Sequence, residues 1–104
     1  MPEKSRQAKM LGKDPLVQRL SADLGSRLLE VRTSEGLSQT TLAEMVGTKH
    51  PRISNLEGGL VDVRLSDIVK LARALDVNPG ELLDLAAYKL EDYPLPLPDN
   101  HARM

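Results

Sequence analysis

The side chains in this sequence that could do chemistry are few, and their spacing excludes most kinds. Its two histidines, His50 and His101, lie far apart, and it contains no cysteine. A thiol nucleophile, a disulfide framework and a structural zinc site are therefore not expected. Nor does the sequence contain a glycine-rich phosphate loop or a pair of carboxylates spaced for acid–base work, so catalysis and a bound cofactor are not expected. What stands out is a short run of hydrogen-bonding side chains, His50, Arg52, Ser54 and Asn55, interleaved with the apolar Ile53 and Leu56. Arginine carries a planar fork of donors, and asparagine a donor beside an acceptor. Groups of this kind recognise the edge of a ligand rather than transform it.

The elements that must position them lie between Gly36 and Gly59, which reads as two short helices joined by a tight turn. Ser38 is placed to cap the first, its hydroxyl accepting from a free N–H at the helix start. Leu42, Ala43 and Val46 fall on one face, the inward one. Gly47 stands where the chain must turn sharply and can take a positive φ without steric cost. The second helix is expected from about Lys49 to Glu57, with Ile53 and Leu56 inward and Gly58-Gly59 ending it.

Together, Gly36-Leu37-Ser38-Gln39, Leu42-Ala43-Glu44, Gly47-Thr48, Ile53-Ser54, Leu56-Glu57 and Gly59 resemble the helix-turn-helix of the Cro/repressor, or Xre-type, regulators. The similarity runs from about Leu24 to Leu83. It implies an all-α, lambda-repressor-like fold of five helices that binds double-stranded operator DNA, with the second helix of the motif in the major groove. By matching position, His50, Arg52 and Asn55, with Lys49 beside them, become the candidates for base edges. Arg52 suits guanine O6 and N7, and Asn55 suits adenine. The family places a glutamine against a phosphate where this chain has Gln39. Thr40, Lys49 and Ser54 could add phosphate contacts, as could Arg27 and Arg32 from the preceding helix. Arg27 and Arg32 also have a plain reading as solvated helix residues, Ser54 as a group bonded to its own helix, and Glu57 as a tie holding the reading helix to the rest of the protein.

Composition sets the bounds. A chain of 104 residues that is 40% hydrophobic, with no Trp or Phe and two Tyr, suits one helical domain with an aliphatic core. No apolar run reaches the ~18 residues of a membrane span, and the first residues lack a hydrophobic signal core, so a cytoplasmic location is expected. The net charge of −1 is unusual for a nucleic-acid binder, but it is unevenly spread. Residues 1–56 hold nine Lys/Arg and six Asp/Glu (+3), whereas residues 57–104 hold five and nine (−4). A basic half can face DNA while an acidic half faces away, because exposed charges are screened beyond ~8 Å.

Along the chain, residues 1–13 are polar and basic and are expected to form a flexible arm. Asp14-Pro15 caps and starts a helix to about Glu35, with Leu16, Leu20, Leu24, Leu28 and Val31 as its stripe and Gly25 as a weak point worth ~1 kcal/mol against Ala. Its first turns, 15–23, precede the family's usual start and resemble the lead-in of HigA-like antitoxins. That resemblance implies a possible protein toxin as partner. The connection Leu60-Val61-Asp62-Val63 lacks the basic residues the family often has there, so phosphate contacts are fewer on this side or the apolar groups face a partner.

Leu65, Ile68, Val69, Leu71, Ala72 and Leu75 predict a packing stripe on a fourth helix. Asn78-Pro79-Gly80-Glu81 predicts the capped start of a fifth, running to about Lys89. Three prolines, Pro94, Pro96 and Pro98, make residues 91–104 an extended tail. The domain is thus 14–90, with the motif at about 38–58. A twofold homodimer is expected, formed through the fifth helix and the tail. The sequence therefore points to a transcriptional regulator, a repressor in particular, with an autoregulating antitoxin as the alternative.

Overall fold

Residues 14–94 are described by the computed structural model, and the expected basic arm and most of the Pro-rich tail lie outside them. Five α-helices follow in order: α1 Pro15–Ser34, α2 Gln39–Val46, α3 His50–Glu57, α4 Leu65–Leu75 and α5 Pro79–Leu82. Two 3₁₀ turns, Leu85–Ala87 and Leu90–Asp92, close the described chain. No strand occurs among the described residues, and they form the all-helical arrangement of five helices that the sequence implied.

The starts of the helices follow from short-range chemistry. Asp14 accepts from the backbone N–H of Leu16 at 2.8 Å and of Val17 at 3.3 Å, and Pro15 fills the first helical position. The Ser38 hydroxyl accepts from the Thr41 N–H at 3.0 Å and starts α2. Gly47 ends α2 at φ 75°, in the left-handed region where a Cβ would be strained. The Glu81 carboxylate reaches back to the Asn78 N–H at 2.8 Å and the Asp67 carboxylate to the Arg64 N–H at 2.9 Å, so α4 and α5 each begin with a first-turn acid satisfying a free donor.

The core is aliphatic. Leu24 and Leu28 of α1, Leu42 and Ala43 of α2, Ile53 and Leu56 of α3, Leu71, Ala72 and Leu75 of α4, and Leu82 of α5 are all buried. The long α1 packs across α3 and α5, and α2 packs against α3 and α4. Helix α3 is thereby held from two sides.

Four expectations change. Gly25 is a point of close approach rather than a weak one: a Cβ there would lie 2.5 Å from the Glu57 carbonyl oxygen and 2.6 Å from that of Leu56. The connection 60–63 turns inward, with Val61 and Val63 packed against the core. On α4, Leu65 and Val69 do not join the packing stripe and are exposed.

The fifth helix is the fourth change. It stops at Leu82 because Leu83 is extended (φ −149°, ψ 108°) and the Asp84 carboxylate accepts from the Ala86 N–H, starting a separate turn. A long-range contact holds this new path: the Tyr88 hydroxyl donates to Asp23 Oδ2, which also accepts from Arg19 Nε at 3.0 Å. The extra turns of α1 therefore serve as the seat of the C-terminal segment. Hydrogen bonding to Asp23, with burial, raises the Tyr88 phenol to about 12, and the Tyr88 hydrogen bond lowers the Asp23 carboxyl.

Two outcomes follow. Gly25→Ala, which helix propensity alone would make stabilising, should instead cost about 1–3 kcal/mol through overpacking against the end of α3, as read by urea denaturation. Tyr88→Phe should cost about 1 kcal/mol at neutral pH. Because the folded phenol titrates at about 12 and the unfolded one near 10, this part of the wild-type stability is full below pH 10 and lost as pH rises towards 12. The lowered Asp23 carboxyl adds a second loss on the acid side, below the usual carboxylate range. Wild type and Tyr88→Phe should therefore converge at both pH extremes in thermal melts.

Candidate nucleic-acid interface

Helix α3 presents its inner face through Ile53 and Leu56, both buried, and this fixes which residues look outward. Lys49, His50, Pro51 and Ser54 are exposed and Asn55 is half-buried. Among the described residues, no hydrogen bond or ion pair holds the side chains of Lys49, His50, Ser54 or Asn55, and the same is true of Thr40 on α2. The Ser54 hydroxyl does not bond its own helix, unlike Thr33 and Ser34 on α1. Pro51 in the first turn costs nothing there, since its missing N–H would have had no helical partner.

A polar network beneath the motif fixes α3. The Glu57 carboxylate takes two parallel hydrogen bonds from Arg32, at 2.5 and 3.0 Å, and a third from the Gln39 amide at 2.8 Å. Arg32 also donates to the Leu37 carbonyl at 2.6 Å. Its side chain is 11% exposed and that of Glu57 5%, so the pair is shielded from water. The bonds from Arg32 to Glu57 raise the guanidinium above its already high value, against the opposing effect of burial. Arg32 is thus bonded to α3 and to the Leu37 carbonyl rather than turned to solvent, and Glu57 is the tie the sequence suggested. Gln39 keeps one amide N–H and its carbonyl oxygen uncommitted, oriented by the bond it gives to Glu57.

Arg27 and Arg52 also differ from expectation. Arg27 donates to the Glu81 carbonyl at 2.7 Å and to Glu30 at 3.2 Å, joining α1 to α5. Arg52 turns away from the outer face of α3 to pair with Asp67 on α4 and reach the Asp62 carbonyl at 3.4 Å. Its side chain is 23% exposed and that of Asp67 17%. Spacing alone put Arg52 beside His50 and Asn55; the carboxylate at the start of α4 decides where its fork points.

Around this pair lies a cleft of about 360 Å³ between the α2–α3 turn and α4, lined by Thr48, Arg52, Arg64, Asp67 and Lys70 among others. Three cations surround one carboxylate there. Lys70 lies outside the motif, so the sequence gives it no role in DNA contact. Its signal was its position on α4 one turn beyond Asp67, and only packing brings that turn against Thr48.

Comparison with known proteins agrees with this geometry. Residues 28–82 match the model of the family described as helix-turn-helix. An uncharacterized HTH-type transcriptional regulator from Rickettsia conorii is 28% identical over 94 residues, 88% of this chain and 72% of that protein. The crystal structure of the restriction-modification controller protein C.AhdI from Aeromonas hydrophila superposes with a TM-score of 0.59 at 44% identity, covering 61% of this chain and 96% of that one. The P22 c2 repressor, solved with a synthetic operator, gives 0.56 at 28% identity, over 59% and 92%.

Removing one partner of the shielded ion pair leaves the other charged and unpaired. Glu57→Ala should therefore cost about 3–5 kcal/mol in denaturant unfolding. Gln39→Ala, which removes one donor from a carboxylate that keeps both bonds to Arg32, should cost about 1 kcal/mol.

Proposed function

This chain belongs to the helix-turn-helix family of Cro/repressor type, and from that premise we propose that it is a repressor reading the major groove of an operator as a homodimer. It is a transcriptional regulator on a DNA-binding fold and not an enzyme. The observation that carries the reading is the outer face of α3: Lys49, His50 and Asn55 stand uncommitted while Ile53, Leu56 and the Glu57 network fix the helix beneath them. Groups held in place but unpaired can bond base edges without first breaking protein contacts. The repressor sense is supported by likeness to the P22 c2 repressor on its synthetic operator.

The roles divide as follows. Lys49, His50 and Asn55 read bases. Arg52, paired with Asp67, positions α3 against α4. Gln39, with Thr40 and Ser54, meets phosphates at the start of α2 and along α3, where free N–H groups and the helix dipole favour an anion. Lys70 and Thr48 add phosphate contacts from the cleft beside α4, supplying charge that the connection 60–63 lacks. The antitoxin alternative looked to the first turns of α1 for a toxin contact; Asp23 in those turns already binds the chain's own Tyr88.

A binding selection from a random duplex library gives the operator. On it, Asn55→Ala and His50→Ala should each lose about 1–3 kcal/mol at one base pair and relax specificity there. Arg52→Ala should weaken all sequences alike. Loss of discrimination at a single guanine in Arg52→Ala would return that residue to base reading. Affinity should fall with salt, and Lys70→Ala should reduce the slope of log K against log salt by about 1; affinity independent of salt would refute DNA binding.

A further inference from the structure

Arg52 and Asp67 meet where α3 and α4 converge, and the atoms of that contact decide what Arg52 has left to offer. Among the described residues, both hydrogen bonds of the Arg52 side chain leave from Nη2, one to Asp67 Oδ2 and one to the Asp62 carbonyl at 3.4 Å. Nη2 carries two hydrogens, so both are spent. An arginine makes its two-pronged contact with guanine through the end of its fork, Nη1 with Nη2, or through its side, Nε with Nη2. Both routes need a hydrogen on Nη2. The two contacts therefore deny Arg52 the guanine pair, while Nε and Nη1 are left for single bonds, such as one to a phosphate, that carry no sequence information.

The place of Arg52 on α3 makes this denial consequential. Asn55 lies three residues on, and positions three apart are neighbours on a helix surface. A freed Arg52 would therefore reach the base pair beside the one met by Asn55. Asp67 is outside the motif, in the first turn of α4, yet its carboxylate holds the group that would read that base pair.

Resting on the reading of α3 given above, we propose that Asp67 is a specificity-determining residue of the DNA interface, which keeps Arg52 silent without touching a base itself. Magnitudes favour silence in the wild type. A good two-pronged arginine–guanine contact discriminates by about ten- to a hundredfold. Leaving behind a carboxylate that is 17% exposed costs at least as much. Phosphates drawn to Lys70 raise that cost, because an unpaired carboxylate would face them across the same cleft. Removing the charge of Asp67 reverses the balance. An amide in its place still offers an oxygen to the Arg64 N–H, which the carboxylate now takes at 2.9 Å, so the start of α4 is kept.

Selection from a random duplex library tests this, run in parallel on wild type, Asp67→Asn, Asp67→Asn with Arg52→Ala, and Asp67→Asn with Arg52→Lys. Wild type should show no guanine preference that depends on Arg52. Asp67→Asn should gain a preference of about tenfold or more for one guanine, at the base pair next to that at which Asn55→Ala loses discrimination. Arg52→Ala should abolish the gain. So should Arg52→Lys, since lysine keeps the charge but has no fork. A purely structural role for Asp67 would instead change affinity for all duplexes alike. Asp67→Ser, whose hydroxyl also offers an uncharged acceptor to the Arg64 N–H, is the second variant, and circular dichroism melts should show both folded.

An unchanged base preference in the folded Asp67 variants, a new preference that survives loss of Arg52, or a wild-type guanine preference that Arg52→Ala removes would each overturn the assignment. So would unfolding of both variants, which would leave Asp67 a role in stability alone. If wild type selects no duplex, DNA binding by α3 fails and the role of Asp67 fails with it. If wild type selects an operator and Asp67→Asn selects the same one, only the role of Asp67 fails.

Discussion

The Glu57 carboxylate holds the motif together. It sits at the end of α3 and takes hydrogen bonds from Arg32 of α1 and Gln39 of α2, so one shielded anion joins three helices that otherwise meet through aliphatic contacts. Aliphatic packing is non-directional and tolerates small rotations and slides. A bidentate arginine–carboxylate pair does not, because both of its bonds are lost when either helix turns. The pair therefore adds geometry to a contact whose cohesion comes from Leu28, Leu42, Ile53 and Leu56. Gly25 serves the same end, since the absence of a side chain lets α1 approach the last carbonyls of α3.

A second charged pair works at the other end of α3. Asp67 receives both the Arg52 side chain and the Arg64 backbone N–H, so the carboxylate that starts α4 also anchors the first turns of α3. Glu57 and Asp67 together fix α3 along its length. The surface between these anchors is left to side chains with no partner among the described residues. Fixed backbone with unpaired polar groups is what recognition requires, since ordering costs are met on folding rather than on binding.

Net acidity and DNA binding are compatible here because charge is sorted by element. Several acids of the second half are spent inside the protein: Glu57 on Arg32, Asp67 on Arg52, Glu81 on Asn78 and Asp84 on Ala86. Lys49, by contrast, stands uncommitted beside the outer face of α3, and Lys70 lines the cleft beside it. A sum over the chain does not show where the uncommitted cations stand.

The local elements follow from short-range signals. Caps at Asp14, Ser38 and Asn78, the turn at Gly47, and the stripes through Leu24, Leu42, Ile53 and Leu71 depend on residues within a turn or two, so the five helices, their starts and the motif were legible. Contacts distant in sequence were not. Arg32 read as a solvated or phosphate-facing residue because its partner lies in another helix 25 positions on. Arg52 read as a base contact because Asp67 is brought to it by the packing of α4. The fifth helix read as long because its apolar spacing continued past Leu83. Only the folded chain shows Asp84 starting a new turn and Tyr88 reaching back 65 positions to Asp23. Helix signals are short-range and additive, whereas the direction of a charged side chain is settled by whichever opposite charge the tertiary fold places within reach.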